Sequence, residues 1–135
     1  ALCERIGLAN DLFYICAPTP LQVGVAAGMA ALPECYYSDL AADYRRKRDL
    51  FCGALHQAGL RPSVPAGSYY VLADVDELGC PTDVEAAMSL LARTGIAAVP
   101  GCAFLSSTPD RQLLRFCYAK KWPVLEEACT RLERL

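Results

Sequence analysis

Leu113-Leu114-Arg115-Phe116-Cys117-Tyr118-Ala119 is an apolar, strand-like run interrupted by one permanent positive charge. Alternation puts Leu113, Arg115, Cys117 and Ala119 on one face and Leu114, Phe116 and Tyr118 on the other. Arginine keeps its proton, so a guanidinium on such a strand meets an anion, reaches solvent, or carries a large desolvation cost. Its donor fork suits a carboxylate held through two bonds. On this run alone two readings stand: a ligand-binding cation, or an edge residue that reaches water or pairs with one of the chain's own carboxylates.

The surroundings of the run are punctuated by turns. Upstream lie a polar loop, Ser106-Ser107-Thr108-Pro109-Asp110, and a short strand, Ile96 to Val99, closed by Pro100-Gly101. Downstream, Pro123 suits the first turn of an amphipathic helix from about Trp122 to Arg134. Before these, a helix from Pro81 to Thr94 starts near Thr82 or Asp83 and stops at Gly95. A short extended segment is expected at Pro62 to Pro65 and a strand at Ser68 to Val75, with Ala66-Gly67 turning the chain between them. Glycines at Gly67 and Gly101, where strands begin or end, point to a positive φ or a close backbone approach.

Nearer the start, Ser38 caps a long helix to about Ala58, stopped by Gly59 and Pro62. Its centre, Tyr44-Arg45-Arg46-Lys47-Arg48-Asp49, reads as a solvated basic face. The helix before it, about Pro20 to Leu32, is capped by Thr19, rich in small residues and almost uncharged. A helix apolar on every side expects to be buried on every side, which predicts self-association or a missing neighbour. The first dozen residues read as the end of a helix. The resulting order predicts an α+β fold, a small and mainly antiparallel sheet covered by helices.

Composition removes several function classes. The 135 residues suit one domain, and a mean hydropathy of +0.22 with 54% hydrophobic residues is apolar enough to expect a partner surface. A net charge of -2 gives no electrostatic footprint for nucleic acid or an anionic membrane. No apolar window approaches a membrane span and no secretory leader is evident, so a cytoplasmic location is expected. The eight cysteines are widely spaced, without a Cys-x-x-Cys pair, and His56 is the single histidine. No metal site is expected, and most cysteines read as small core residues.

Five segments in this order resemble the C-terminal part of a fold-type I, class I/II aminotransferase. They are Pro18-Thr19-Pro20-Leu21-Gln22, the basic helix centre, Pro65-Ala66-Gly67-Ser68-Tyr69-Tyr70, Val99-Pro100-Gly101-Cys102-Ala103-Phe104 and Leu114-Arg115-Phe116-Cys117-Tyr118-Ala119. The family uses pyridoxal 5'-phosphate (PLP) and includes kynurenine, methionine, aromatic and aspartate-type members. The resemblance implies that Arg115 binds the substrate α-carboxylate. Tyr69, Gly67 and Gly101 would be further substrate-site positions. It also implies amino-acid and 2-oxo-acid substrates, a homodimer, and a division into 1–32, the tail of a large cofactor domain, and 33–135, a C-terminal small domain.

The lysines are Lys47, Lys120 and Lys121, and none matches the family's cofactor-linking position. The acid for the pyridinium nitrogen and the phosphate-binding segment would lie upstream as well. The expectation is therefore a C-terminal fragment with no catalytic or cofactor-binding residues of its own, inactive alone. A PLP carbon-sulfur lyase with the same fold, and a non-catalytic carboxylate-binding domain, are the alternatives.

Overall fold

The computed structural model describes residues 2–13, 16–105 and 111–135. The polar loop at 106–110 lies outside the described residues. Nine main elements follow in order: α1 (Leu2–Phe13), α2 (Thr19–Ala31), α3 (Glu34–Gln57), β1 (Arg61–Ser63), β2 (Tyr70–Asp74), α4 (Asp83–Thr94), β3 (Val99–Pro100), β4 (Leu113–Cys117) and α5 (Trp122–Leu132). Single 3-10 turns occupy Asp76–Leu78 and Gly101–Ala103. The chain forms two compact units, Ala1–Ser38 and Asp39–Leu135, which divide within α3.

In the second unit the strands form one antiparallel sheet in the order β1-β2-β4-β3. Register pairs Tyr70 with Cys117, Leu72 with Arg115 and Val99 with Arg115. Opposed residues share a face, so Tyr70, Leu72, Val99, Arg115 and Cys117 lie together, while Val71, Ala73, Leu114 and Phe116 lie on the other side. That second set is fully buried in one core with Phe51 and Leu55 of α3, Leu90 of α4 and Leu125 of α5. The Phe51 and Phe116 rings meet edge to face at 5.8 Å. This is the expected α+β layer: helices cover one side of the sheet and leave the other more open.

Local chemistry accounts for the element ends. Thr82 accepts a hydrogen bond from the Glu85 backbone N–H at 3.2 Å, and Gly95 at φ 73° closes α4. For α3 the start differs from the sequence reading. The helix begins at Glu34, and Ser38 instead donates to the Cys35 carbonyl inside it. Likewise α2 is preceded by Pro18, not capped by Thr19, and Gln22 folds back to the Ala17 carbonyl.

Two further expectations need correction. The basic cluster of α3 is only partly a solvated face. Lys47 turns toward Asp43 at 2.7 Å and lies over the Tyr44 and Trp122 rings, while Arg48 reaches the Pro65 carbonyl at 3.0 Å. Of the cysteines, Cys52 is buried, whereas Cys3, Cys16, Cys35 and Cys102 are exposed. Three of those four belong to the first unit, where α2 buries no residue despite its apolar sequence. Among the described residues no helix is long and apolar enough to cross a membrane.

Candidate functional site

Arg115 sits mid-strand on the open side of the sheet. Its guanidinium carbon lies 4.2 Å from the centre of the Tyr70 ring and 3.9 Å from that of Phe104. Two aromatic faces therefore hold one cation, an arrangement favoured by the ring quadrupoles and by the weak hydration of guanidinium. No hydrogen bond or ion pair to Arg115 occurs among the described residues, and its Nε is buried without a partner. A buried donor left unpaired costs about 1–3 kcal/mol. Such a deficit is tolerated where an incoming acceptor removes it.

Each ring is placed by its own device. Tyr70 opens β2 opposite Cys117, just after a turn in which Ser68 takes φ 75°. Tyr118 donates its hydroxyl to the Ser68 carbonyl at 2.6 Å, and its N–H reaches the Tyr69 carbonyl at 3.1 Å. These bonds hold a left-handed backbone that a non-glycine residue seldom adopts. Phe104 ends the Gly101–Ala103 turn, with its N–H on the Gly101 carbonyl at 2.9 Å. Asp83, in the first turn of α4, accepts from the Cys102 N–H at 2.7 Å and ties that turn to the helix.

Gly101 is required by space. A Cβ there would stand 2.9 Å from the Leu113 Cβ and 3.0 Å from the Leu113 carbonyl oxygen, so any side chain would push the turn off β4. Gly67 does not behave as expected. Its φ is not positive and a Cβ would meet nothing within 4 Å; the strained backbone falls one residue later, on Ser68. Tyr69 is half exposed and its ring centre lies 4.3 Å from that of Tyr70. Its hydroxyl pKa is raised above the usual tyrosine value, first through a hydrogen bond with Tyr70, with Arg115 pulling in the opposite direction.

The structure thus brings Arg115, Tyr70, Phe104 and, through Tyr70, Tyr69 together, with Gly101 as the spacer that lets Phe104 return. Tyr70 and Phe104 close the motifs Pro65–Tyr70 and Val99–Phe104, which by themselves give neither residue a site role. The register that puts Tyr70 on the Arg115 face, and the turn that folds Phe104 back, are tertiary facts that no local pattern carries. A separate cleft of about 560 Å³ lies beside Ile96, Phe116, Lys120, Val124 and Arg131, and neither ring of the Arg115 pair lines it. Among the described residues no group of His, Cys, Asp or Glu side chains could hold a metal ion.

An α+β layer with a cation on its open side that meets no anion among the described residues fits the resemblance carried by the five segments. The family profile described as aminotransferase class I and II matches residues 1–132, and the chain belongs to that family. It is 34% identical to kynurenine–oxoglutarate transaminase 3 of Mus musculus, over 88% of this chain and 30% of the relative. It is 35% identical to methionine aminotransferase of Escherichia coli (strain K12), over 87% of this chain and 30% of the relative. A solved methionine aminotransferase from Escherichia coli superposes with a TM-score of 0.77 at 36% identity, covering 87% of this chain and 30% of that one. N-Succinyldiaminopimelate aminotransferase from Mycobacterium tuberculosis gives 0.79 at 27% identity, covering 93% and 33%. The chain therefore spans about a third or less of the length of these relatives.

The cofactor of the family needs a lysine to link it, an acid for its ring nitrogen and donors for its phosphate. Lys47 is committed to Asp43 and two aromatic rings. Lys121 precedes α5 as its N-terminal cap residue, and Lys120 lines the separate cleft.

Proposed function

We propose that this chain is the C-terminal portion of a PLP-dependent aminotransferase acting on an α-amino acid and a 2-oxo acid. Residues 33–135 serve as its small domain and 1–32 as the tail of its cofactor-bearing domain. Arg115 receives the substrate α-carboxylate. The observation that carries this reading is a guanidinium stacked between Tyr70 and Phe104, with a buried Nε and no anion among the described residues. A carboxylate entering in the guanidinium plane completes those hydrogen bonds and fixes the orientation of the amino-acid Cα. The division is supported by α2, whose apolar surface buries nothing. A homodimer is part of the same proposal, as the means of covering such surface.

The test is steady-state kinetics of the whole enzyme with Arg115→Gln. Charge-assisted hydrogen bonds contribute about 1.5–3 kcal/mol, so kcat/KM for the amino acid should fall about 10- to 100-fold or more. Unchanged kinetics would refute the role of Arg115. Ammonia and a 2-oxo acid formed without an amino acceptor would replace transamination by lyase chemistry.

A further inference from the structure

The geometry points to Tyr70 and Phe104 as positioning residues that make the Arg115 site selective for planar carboxylates over tetrahedral anions, an inference that rests on Arg115 being the carboxylate receptor. The two ring centres stand 4.2 and 3.9 Å from the guanidinium carbon. Those distances leave no room for an anion above or below the plane at either ring. Among the described residues no N–H of Arg115 has an acceptor, and its Nε is buried without a partner.

A carboxylate places both oxygens in the guanidinium plane and meets two parallel N–H donors. A sulfonate has the same charge, but its third oxygen projects out of the plane toward an aromatic face, whose negative quadrupole repels it. The rings thus do two things: they hold the cation in one orientation, and they penalise the wrong anion shape. Their placement is built from elsewhere in the fold. Phe104 depends on the Asp83 anchor and on the absence of a side chain at Gly101, and Tyr70 on its register with Cys117. Neither ring needs to touch the reacting atoms.

The experiment uses propionate and ethanesulfonate as matched competitive inhibitors of the whole enzyme. The expected result is a preference for propionate of about tenfold in the unaltered protein. Phe104→Leu and Tyr70→Leu should each reduce that preference about three- to tenfold, while Phe104→Tyr and Tyr70→Phe, which keep a ring, should retain it. A purely structural role would weaken both inhibitors alike and leave their ratio unmoved. No preference in the unaltered protein, or leucine variants that keep the ratio, overturns the inference. Arg115→Gln separates the two levels of the argument: it should abolish inhibition by both ions, and unchanged inhibition by propionate overturns the reading of Arg115 itself.

Discussion

The two sides of the four-stranded sheet differ in what they ask of neighbouring residues on the same strand. On the covered side Leu114 and Phe116 are fully buried among apolar side chains of α3, α4 and α5. On the open side Arg115, between them in sequence, keeps its charge against two rings with no anion among the described residues. One strand therefore carries stability on Leu114 and Phe116 and recognition on Arg115 between them. A substitution should move one property and spare the other, according to the side it faces.

The largest stability effect belongs to the covered side. Phe116→Ala removes a ring packed against Phe51, and should destabilise the fold by about 3–5 kcal/mol in denaturant unfolding. A loss under 1 kcal/mol would mean that this side is not the core. Next comes Gly101→Ala, which forces a Cβ against Leu113. It should cost about 1–3 kcal/mol and also displace Phe104 from Arg115, so this is the one change expected to affect both properties. If only stability changed, Phe104 would not depend on that turn.

The smallest effect concerns the link between α3 and α5. Asp43 accepts from Trp122 Nε1 at 2.9 Å and pairs with Lys47, and its carboxyl pKa is lowered, chiefly by the hydrogen bond with Lys47. A carboxyl lowered in the folded state adds stability above its unfolded pKa, and that contribution is lost as pH falls through the folded value. Trp122 fluorescence should therefore change on acidification below the ordinary carboxylate range, and Asp43→Asn should remove this step while leaving the Arg115 site untouched. A step that persists in Asp43→Asn assigns it to another group.

Most of the fold was legible because its signals are local. Thr82 and Gly95 bracket α4, Pro123 opens α5, and alternation in 113–119 separates the core face from the Arg115 face. Ser38 points to a later start for α3 than the observed Glu34, because a serine hydroxyl is satisfied inside a helix as readily as at a cap. The cation is visible in the run, but the run alone leaves it open between a ligand-binding and a structural role, and the surrounding motifs tip the balance. Its partners are not visible there. Tyr69 and Tyr70 are adjacent and chemically alike, and only the pairing of Tyr70 with Cys117 decides which ring lies on the Arg115 face. Gly67 and Gly101 read alike as turn glycines, yet only Gly101 is held against another strand. The backbone strain passed from Gly67 to Ser68, where bonds from Tyr118 and Tyr70 secure it.

The central claim is that Arg115 serves recognition and not the integrity of the sheet. The most direct measurement compares Arg115→Gln with the unaltered protein in two readouts, the unfolding free energy and the inhibition constant for propionate. The account predicts a stability change within about 1 kcal/mol, since a lost ring contact is offset by relief of the unpaired Nε, and a loss of propionate binding of about tenfold or more. A marked fall in stability with propionate binding unchanged would contradict it.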